Sequence, residues 1–295
     1  MIMLKSFMDS LSLFIKVIKR SKLSMLGFII LLGYLVMATV GPEIIPYSEK
    51  SNPKEIFLPP SWEHPLGTDY AGRDVLQQIV HGSRPILLVA TLTALISVMV
   101  AIAVGMVAGF KGGIVDAVLM VVVDIMLTIP GFPLLIVLAT TLLKGSTNPF
   151  ALAFILSITS WASLARAIRS QVLTLRERDF IEAAKLLDLG TFHIIIRELL
   201  PNMMAYVIIN FMLSIINAIY NMVGLFIIGL LPFEAQNWGL MIQLGITHAG
   251  SLFSARTAYY LITPIVAIVL LQVGIVLFSR SIEEYFNPRL RGSRK

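Results

Sequence analysis

The sequence predicts an all-α polytopic membrane protein with about six transmembrane helices. Three observations carry that prediction. Hydrophobic residues make up 57% of the 295-residue chain and charged residues only 14%, against roughly 25% charged in a soluble domain, and the mean hydropathy is +0.86. The apolar residues gather into six runs, 23–41, 85–110, 114–143, 150–165, 202–231 and 257–279, and a membrane helix needs about 20 mostly apolar residues. The basic residues are skewed to one side. With the N-terminus inside, 17 of the 23 Lys and Arg fall on inside segments, which is the positive-inside pattern. That topology places both termini in the cytoplasm and the chain in the cell membrane. It accounts for the net charge of +6, together with attraction to anionic lipid, without invoking nucleic acid.

Taken in order, residues 1–22 form a basic amphipathic lead-in, expected to lie on the inner membrane surface. The run 23–41 reads as an uncleaved anchor, because no small-x-small cleavage site follows it. Residues 41–84 form an external segment rich in Pro, Glu and Gly. Within it, "HPLGTDYAGRDVLQQIVHGSRP" at 64–85 predicts a turn and a short helix. Asp69 or Thr68 would cap that helix, and Val75, Leu76, Ile79 and Val80 would share its apolar face. Asp69 and Asp74 have the chemistry of a general acid–base pair, but capping and surface charge are the preferred roles.

The second span carries Thr93, Ser97, Ala101, Gly105 and Gly109 at four-residue intervals, a stripe that lets another helix approach closely. Pro130 and Pro133 interrupt the third span, which is either one kinked helix or a helix followed by a re-entrant piece. Asp116 and Asp124 lie near one face of it. A carboxylate within the membrane is a functional candidate by default; pairing with a neighbouring helix near the inner end is the preferred reading.

Residues 166–201 form the longest inside loop. Here Gly190 is expected to stop a two-turn helix over about 182–189, and Pro201 to limit or begin the next. Such a short helix is marginal alone in water. It shows Ala183, Ala184, Leu186, Leu187 and Leu189 among its charges, so a soluble partner protein is expected to cover it. The fifth span aligns Asn210, Ser214, Asn217 and Asn221 on one face, continued by Gly224. Amides facing lipid are expensive, so the stripe faces either a neighbouring helix or a polar translocation path, and the path is preferred. Residues 280–295 form a basic inside tail.

No engine of chemistry is legible. There is no phosphate-binding G-x-x-x-x-G-K-[ST], no H-E-x-x-H and no G-x-S-x-G. His64, His81, His193 and His248 lack ligand spacing, and the absence of Cys excludes disulfides and thiolate metal sites. No catalytic residue, metal or cofactor is assigned.

The stretch "EAAKLLDLGTFHIIIRELLPN" (182–202) resembles the EAA loop of ABC importer permeases. From about residue 20 to 291 the chain is similar to the C-type permease subunit of the dipeptide/oligopeptide/nickel importers. The matching stretches are "HPLGTDYAGRDV" (64–75), "VDAVLMVVVDIMLTIPGFPLLI" (115–136), "WASLARAIRSQVLTLRERDFIEAAKLL" (161–187), "LPNMMAYVIINF" (200–211), "NWGLMI" (237–242) and "FNPRLR" (286–291). The resemblance implies a type I ABC importer transmembrane domain, with the permease core at 85–279. It implies a second homologous permease subunit, two cytoplasmic ATP-binding subunits that hydrolyse the ATP, and an extracellular or periplasmic substrate-binding protein. Glu182, Ala183, Ala184, Leu187, Asp188 and Gly190 would then form the coupling helix and its turn. Asp69, Arg73, Asp74 and Trp238 would mark the external contact with the binding protein. The cargo implied is di- or oligopeptide, with nickel chelates or oligosaccharides as alternatives; a secondary transporter would show inverted repeats, which are not apparent. Two departures carry expectations. Asp188 replaces the usual glycine of the EAA turn, which predicts a turn shifted or widened toward Gly190, although Asp also accepts turn conformations. Val121, Val122 and Val123 replace the arginine usual before Asp124, which predicts no neighbouring cation for that carboxylate.

Overall fold

A computed structural model describes residues 12–14, 16–143, 145–146, 148–231 and 237–286. Among them the regular structure is helical, and the only β-type contact is an isolated antiparallel bridge between Thr68 and Asp74. Ten helices organise these residues: α1 (Lys22–Thr39), α2 (Val75–Lys111), α3 (Gly113–Thr128), α4 (Gly131–Leu138), α5 (Pro149–Ser160), α6 (Ala162–Leu175), α7 (Asp179–Leu186), α8 (Met204–Ile227), α9 (Trp238–Thr247) and α10 (Ala258–Phe286). Four of these, α1, α2, α8 and α10, are each long and apolar enough to cross a membrane. Two bent pairs, α3 with α4 and its continuation to Leu143 (83°) and α5 with α6 (53°), raise the possible number of spans to six. The third run of the sequence is therefore sharply broken. Pro130 and Pro133 lack the N–H groups that would carry the ladder through.

The fourth run does not end near 165 as expected. α6 continues to Leu175, so the arginines placed in the loop sit on a helix. Their charges are met from α3. Arg169 bonds both carboxylate oxygens of Asp116, at 2.5 and 2.5 Å, and Arg166 pairs with Asp124. Asp124 thus has a cation after all, supplied from 42 residues away rather than from its own helix.

α2 is the spine. Its 37 residues extend about 55 Å at 1.5 Å per residue, well beyond a hydrocarbon core of about 30 Å. The short helix expected near 64–85 is its first turns, which run on through Pro85. The cap is Asp74, accepting from Gln77 N at 3.0 Å, and not Asp69 or Thr68. The stripe Thr93, Ser97, Ala101, Gly105 and Gly109 is buried, as its packing role requires. A methyl group on Gly105 would lie 2.5 Å from the Ala165 carbonyl oxygen, and one on Gly109 would lie 2.9 Å from Val172. The glycines thus seat α6 directly on α2.

One apolar core joins the first turns of α2 to α5, α8, α9 and α10. A second joins the far half of α2 to α6, α7 and residues 194–207. The described part of the lead-in is helical and docks on α10: the Phe14 ring stands edge-on to Phe278 and Tyr285, and Arg20 lies 3.8 Å from Glu284. The C-terminal motif at 286–291 falls, but for Phe286, outside the described residues.

Candidate functional site

At the Lys111 end of the bundle, Asp179 and Glu182 sit in the first turn of α7 and Lys185 in its last. That order of charge complements the helix dipole. The helix therefore starts three residues earlier than expected and ends at Leu186. Ile181 and Ala184 point into the second core, at 0% and 4% exposure. Lys185 Nζ lies 5.9 Å from the Phe110 ring centroid. On the other side, Glu182 and Ala183 are exposed, with Leu186 at 83% and Leu187 at 73%. Ala184, expected among the residues a partner covers, is turned inward instead.

The turn is neither shifted nor widened. Asp188 takes the left-handed conformation itself, at φ 53°. Its N–H donates to Lys185 O at 3.0 Å and the Leu189 N–H to Ala184 O at 3.1 Å, the two bonds of a Schellman cap. Gly190 has φ −58° and instead precedes the next helical segment. Phe192, 78% exposed, adds an aromatic ring that the sequence pattern alone did not single out, although a large apolar side chain two residues after Gly190 was a usable signal. Leu186, Leu187 and Phe192 together leave an exposed apolar surface beside Glu182 and Asp188.

The second feature lies between α8 and the two bends. A groove of about 260 Å³ is lined by Ser214, Asn217, Tyr220 and Asn221 from α8, by Thr159, Ser160 and Ser163 at the α5–α6 bend, and by Gly131, Phe132 and Leu135 of α4. Among the described residues no charged side chain lines it. Asn210 does not join the wall; its amide donates to Tyr206 O at 2.9 Å, back onto its own helix. The opposite side of α8 is packed, with Ile219 1% exposed. The stripe read from sequence is therefore three residues of an open polar wall. The bends that supply the remainder were legible only at the prolines of the first. At the second, the Ser160 hydroxyl donates to Leu156 O at 2.8 Å, and no proline marks the break.

At the Asp74 end, the four residues expected to meet an external partner are committed inward. Asp69 is 0% exposed and accepts from Ala71 N (2.8 Å), Arg73 N (2.9 Å), Arg73 Nε (2.8 Å) and Gln78 Nε2 (2.9 Å). Burial works against the Arg73 charge, but the Asp69 carboxylate outweighs it and holds that pKa above its ordinary value. Asp74 caps α2 and meets His64 Nδ1 at 2.8 Å. Trp238 is 0% exposed and donates to Ile79 O at 2.9 Å. This knot ties the 45–74 segment to α2, with these side chains engaged inside the subunit. The most exposed large side chains on the external segments are Trp62, at 102%, and Phe253, at 94%.

Residues 101–292 match the family of binding-protein-dependent transport system inner membrane components, and residues 11–60 match the N-terminal TM domain of oligopeptide transport permease C. The chain is 32% identical to the dipeptide transport system permease protein DppC of Bacillus subtilis (strain 168), over 78% of this chain and 71% of that protein. It is 30% identical to a putative peptide permease protein of Brucella suis, over 92% of this chain and 88% of that one. The oligopeptide transport system permease protein OppC of Bacillus subtilis is 28% identical, over 77% of this chain and 74% of its own.

Proposed function

The chain belongs to the family of binding-protein-dependent transport system inner membrane components, and from that premise we propose how it carries its cargo. The resemblance read from the EAA stretch is borne out. The fold is the membrane domain of type I ABC importers, and the chain is a multi-pass membrane permease. Its relatives are named as dipeptide, oligopeptide and peptide permeases, and peptide is the cargo we assign here. The groove suits it. Neutral Asn, Ser and Thr side chains can exchange hydrogen bonds with peptide main chain whatever its side chains, without the grip of a charge–charge pair.

In this reading the chain performs no bond chemistry. A second homologous permease completes the pathway, two cytoplasmic ATP-binding subunits hydrolyse ATP, and a binding protein delivers peptide from outside. The α7 end is cytoplasmic and the Asp74 end external. The organisation into lead-in, first span with external segment, core and tail follows the boundaries given above. The observation that carries the coupling assignment is the apolar face of α7 and its turn. Leu186 and Leu187 are exposed on a two-turn helix whose other side is locked into the core. A surface of that kind in water marks an interaction site. On the external side, contact with the binding protein passes to Trp62 and Phe253.

The test is capture of the ATP-binding subunits by the assembled permease pair, with hydrolysis measured alongside. Glu182→Lys and Ala183→Trp, both on the exposed face, are expected to weaken capture and to abolish substrate-stimulated hydrolysis, while membrane insertion is unchanged. Full capture and full stimulation in both variants refute the coupling-helix assignment.

A further inference from the structure

One turn beyond Asn221, the last α8 residue lining the groove, stands Gly224, and the space a side chain would take there is filled. A methyl group on it would lie 2.7 Å from Phe132 Cε2 and 2.9 Å from Cζ. The Phe132 ring is thus seated in the notch that the missing side chain leaves, and Phe132 also lines the groove. From Ser214 to Gly224 the stripe runs about 15 Å along α8 at 1.5 Å per residue. The ring therefore sits at the external end of that stripe.

Phe132 is placed on a hinge. It follows the 83° break between α3 and α4, at Pro130-Gly131-Phe132-Pro133. Across the break the backbone ladder thins to Ile129 N to Ile125 O at 3.3 Å and Leu134 N to Pro130 O at 3.1 Å, and Pro130 provides no side-chain cap. Upstream, α3 lies loosely on the bundle: Val123 is its one buried residue. Its charged ties run to α6: the part-buried, two-bonded Asp116–Arg169 pair and the more exposed Asp124–Arg166 pair; α6 leads within a few residues into α7. This chain of contacts is a route by which a displacement of α7 would reach α3 through α6, and from α3 the bend that holds the ring.

We propose that Phe132, seated against Gly224, is the plug that closes the external end of the groove, and that it leaves its notch when α3 is drawn by α6. This rests on the pathway reading and the orientation given above. The ring has the properties a plug needs. It is large enough to seal a notch one side chain deep, and it makes no hydrogen bond that must be broken when it leaves. Retention is by packing alone, so a small motion at the hinge can shift the equilibrium.

The chain lacks cysteine, so a single Asn217→Cys introduced into the complete importer reports on the groove. The probe is methanethiosulfonate ethyltrimethylammonium, applied from outside to energy-depleted cells or from the cytoplasmic side to inverted vesicles. With Phe132 intact, labelling is expected from the cytoplasmic side and not from outside. Phe132→Ala should raise the outside labelling rate at least tenfold. Gly224→Ala, whose methyl expels the ring, should do the same with the ring still present, and Phe132→Tyr should stay closed. Unchanged cytoplasmic-side labelling shows in each variant that the fold is retained. Protection from outside in both Phe132→Ala and Gly224→Ala, with cytoplasmic labelling preserved, overturns the plug and leaves the pathway standing. Labelling from neither side in any background overturns the pathway reading and the plug with it.

Discussion

Leu187→Ala offers the most direct measure of how the permease holds its motor. The change removes three carbons beyond Cβ, worth about 2.4 kcal/mol at ~0.8 kcal/mol per carbon when fully buried. Leu187 is 73% exposed in the isolated subunit, so about 1.8 kcal/mol of that remains to be gained on docking. At 1.4 kcal/mol per decade this is a roughly 20-fold loss of affinity for the ATP-binding subunits. The assay is biolayer interferometry of those subunits against the permease pair in nanodiscs, at fixed salt. Phe192→Ala, at 78% exposure, should cost at least as much. Leu35→Ala, 58% exposed but on α1 rather than on α7 or its turn, should leave the affinity unchanged. Leu187→Ala binding within twofold of the native permease would refute the argument that this apolar face is what the partner buries.

Gly105→Ala should destabilise the detergent-solubilised protein by about 1–3 kcal/mol through overpacking, because its methyl meets a backbone carbonyl at 2.5 Å, whereas Gly33→Ala meets nothing within 4 Å and should leave the unfolding temperature in place; thermal scanning of both separates the two. Asp69→Asn strands the Arg73 guanidinium, 11% exposed, and should cost about 3–5 kcal/mol, with partial recovery when Arg73→Met is added. Asp188→Gly relieves a left-handed conformation at φ 53° and should stabilise the end of α7 by about 1 kcal/mol, read as slower amide exchange at Leu187 and Leu189. Single cysteines at Ser51, Ser170 and Ser293 should react with an impermeant thiol reagent on intact cells only at Ser51; labelling at Ser170 would overturn the proposed topology.

Much of this protein is written locally. Hydropathy over 20-residue windows is enough to find its membrane runs, since the bilayer acts on each segment separately. The skew of Lys and Arg gives the expected orientation by the same logic. The EAA stretch announces a helix with a charged, partly apolar face, because its spacing is that of one element. Features that depend on a second element were not legible. Asp124 finds Arg166 across 42 residues, and no local pattern records such a pairing. Asp69 reads as a surface cap, yet it is buried because the 45–74 segment folds back against α2 and α10, with Tyr259 Oη donating to Thr68 O at 2.7 Å. Asp188 keeps the turn because the cap bonds and the burial of Ile181 and Ala184 impose the geometry on whichever residue stands there. The place of Phe132 follows from a bend and a missing side chain 92 positions later. Periodicity and composition report what a segment does with its own neighbours and its solvent; which charge is neutralised, which carboxylate is dry and which ring fills which notch were decided by tertiary packing, where the contacting groups are close in space and far apart in the chain.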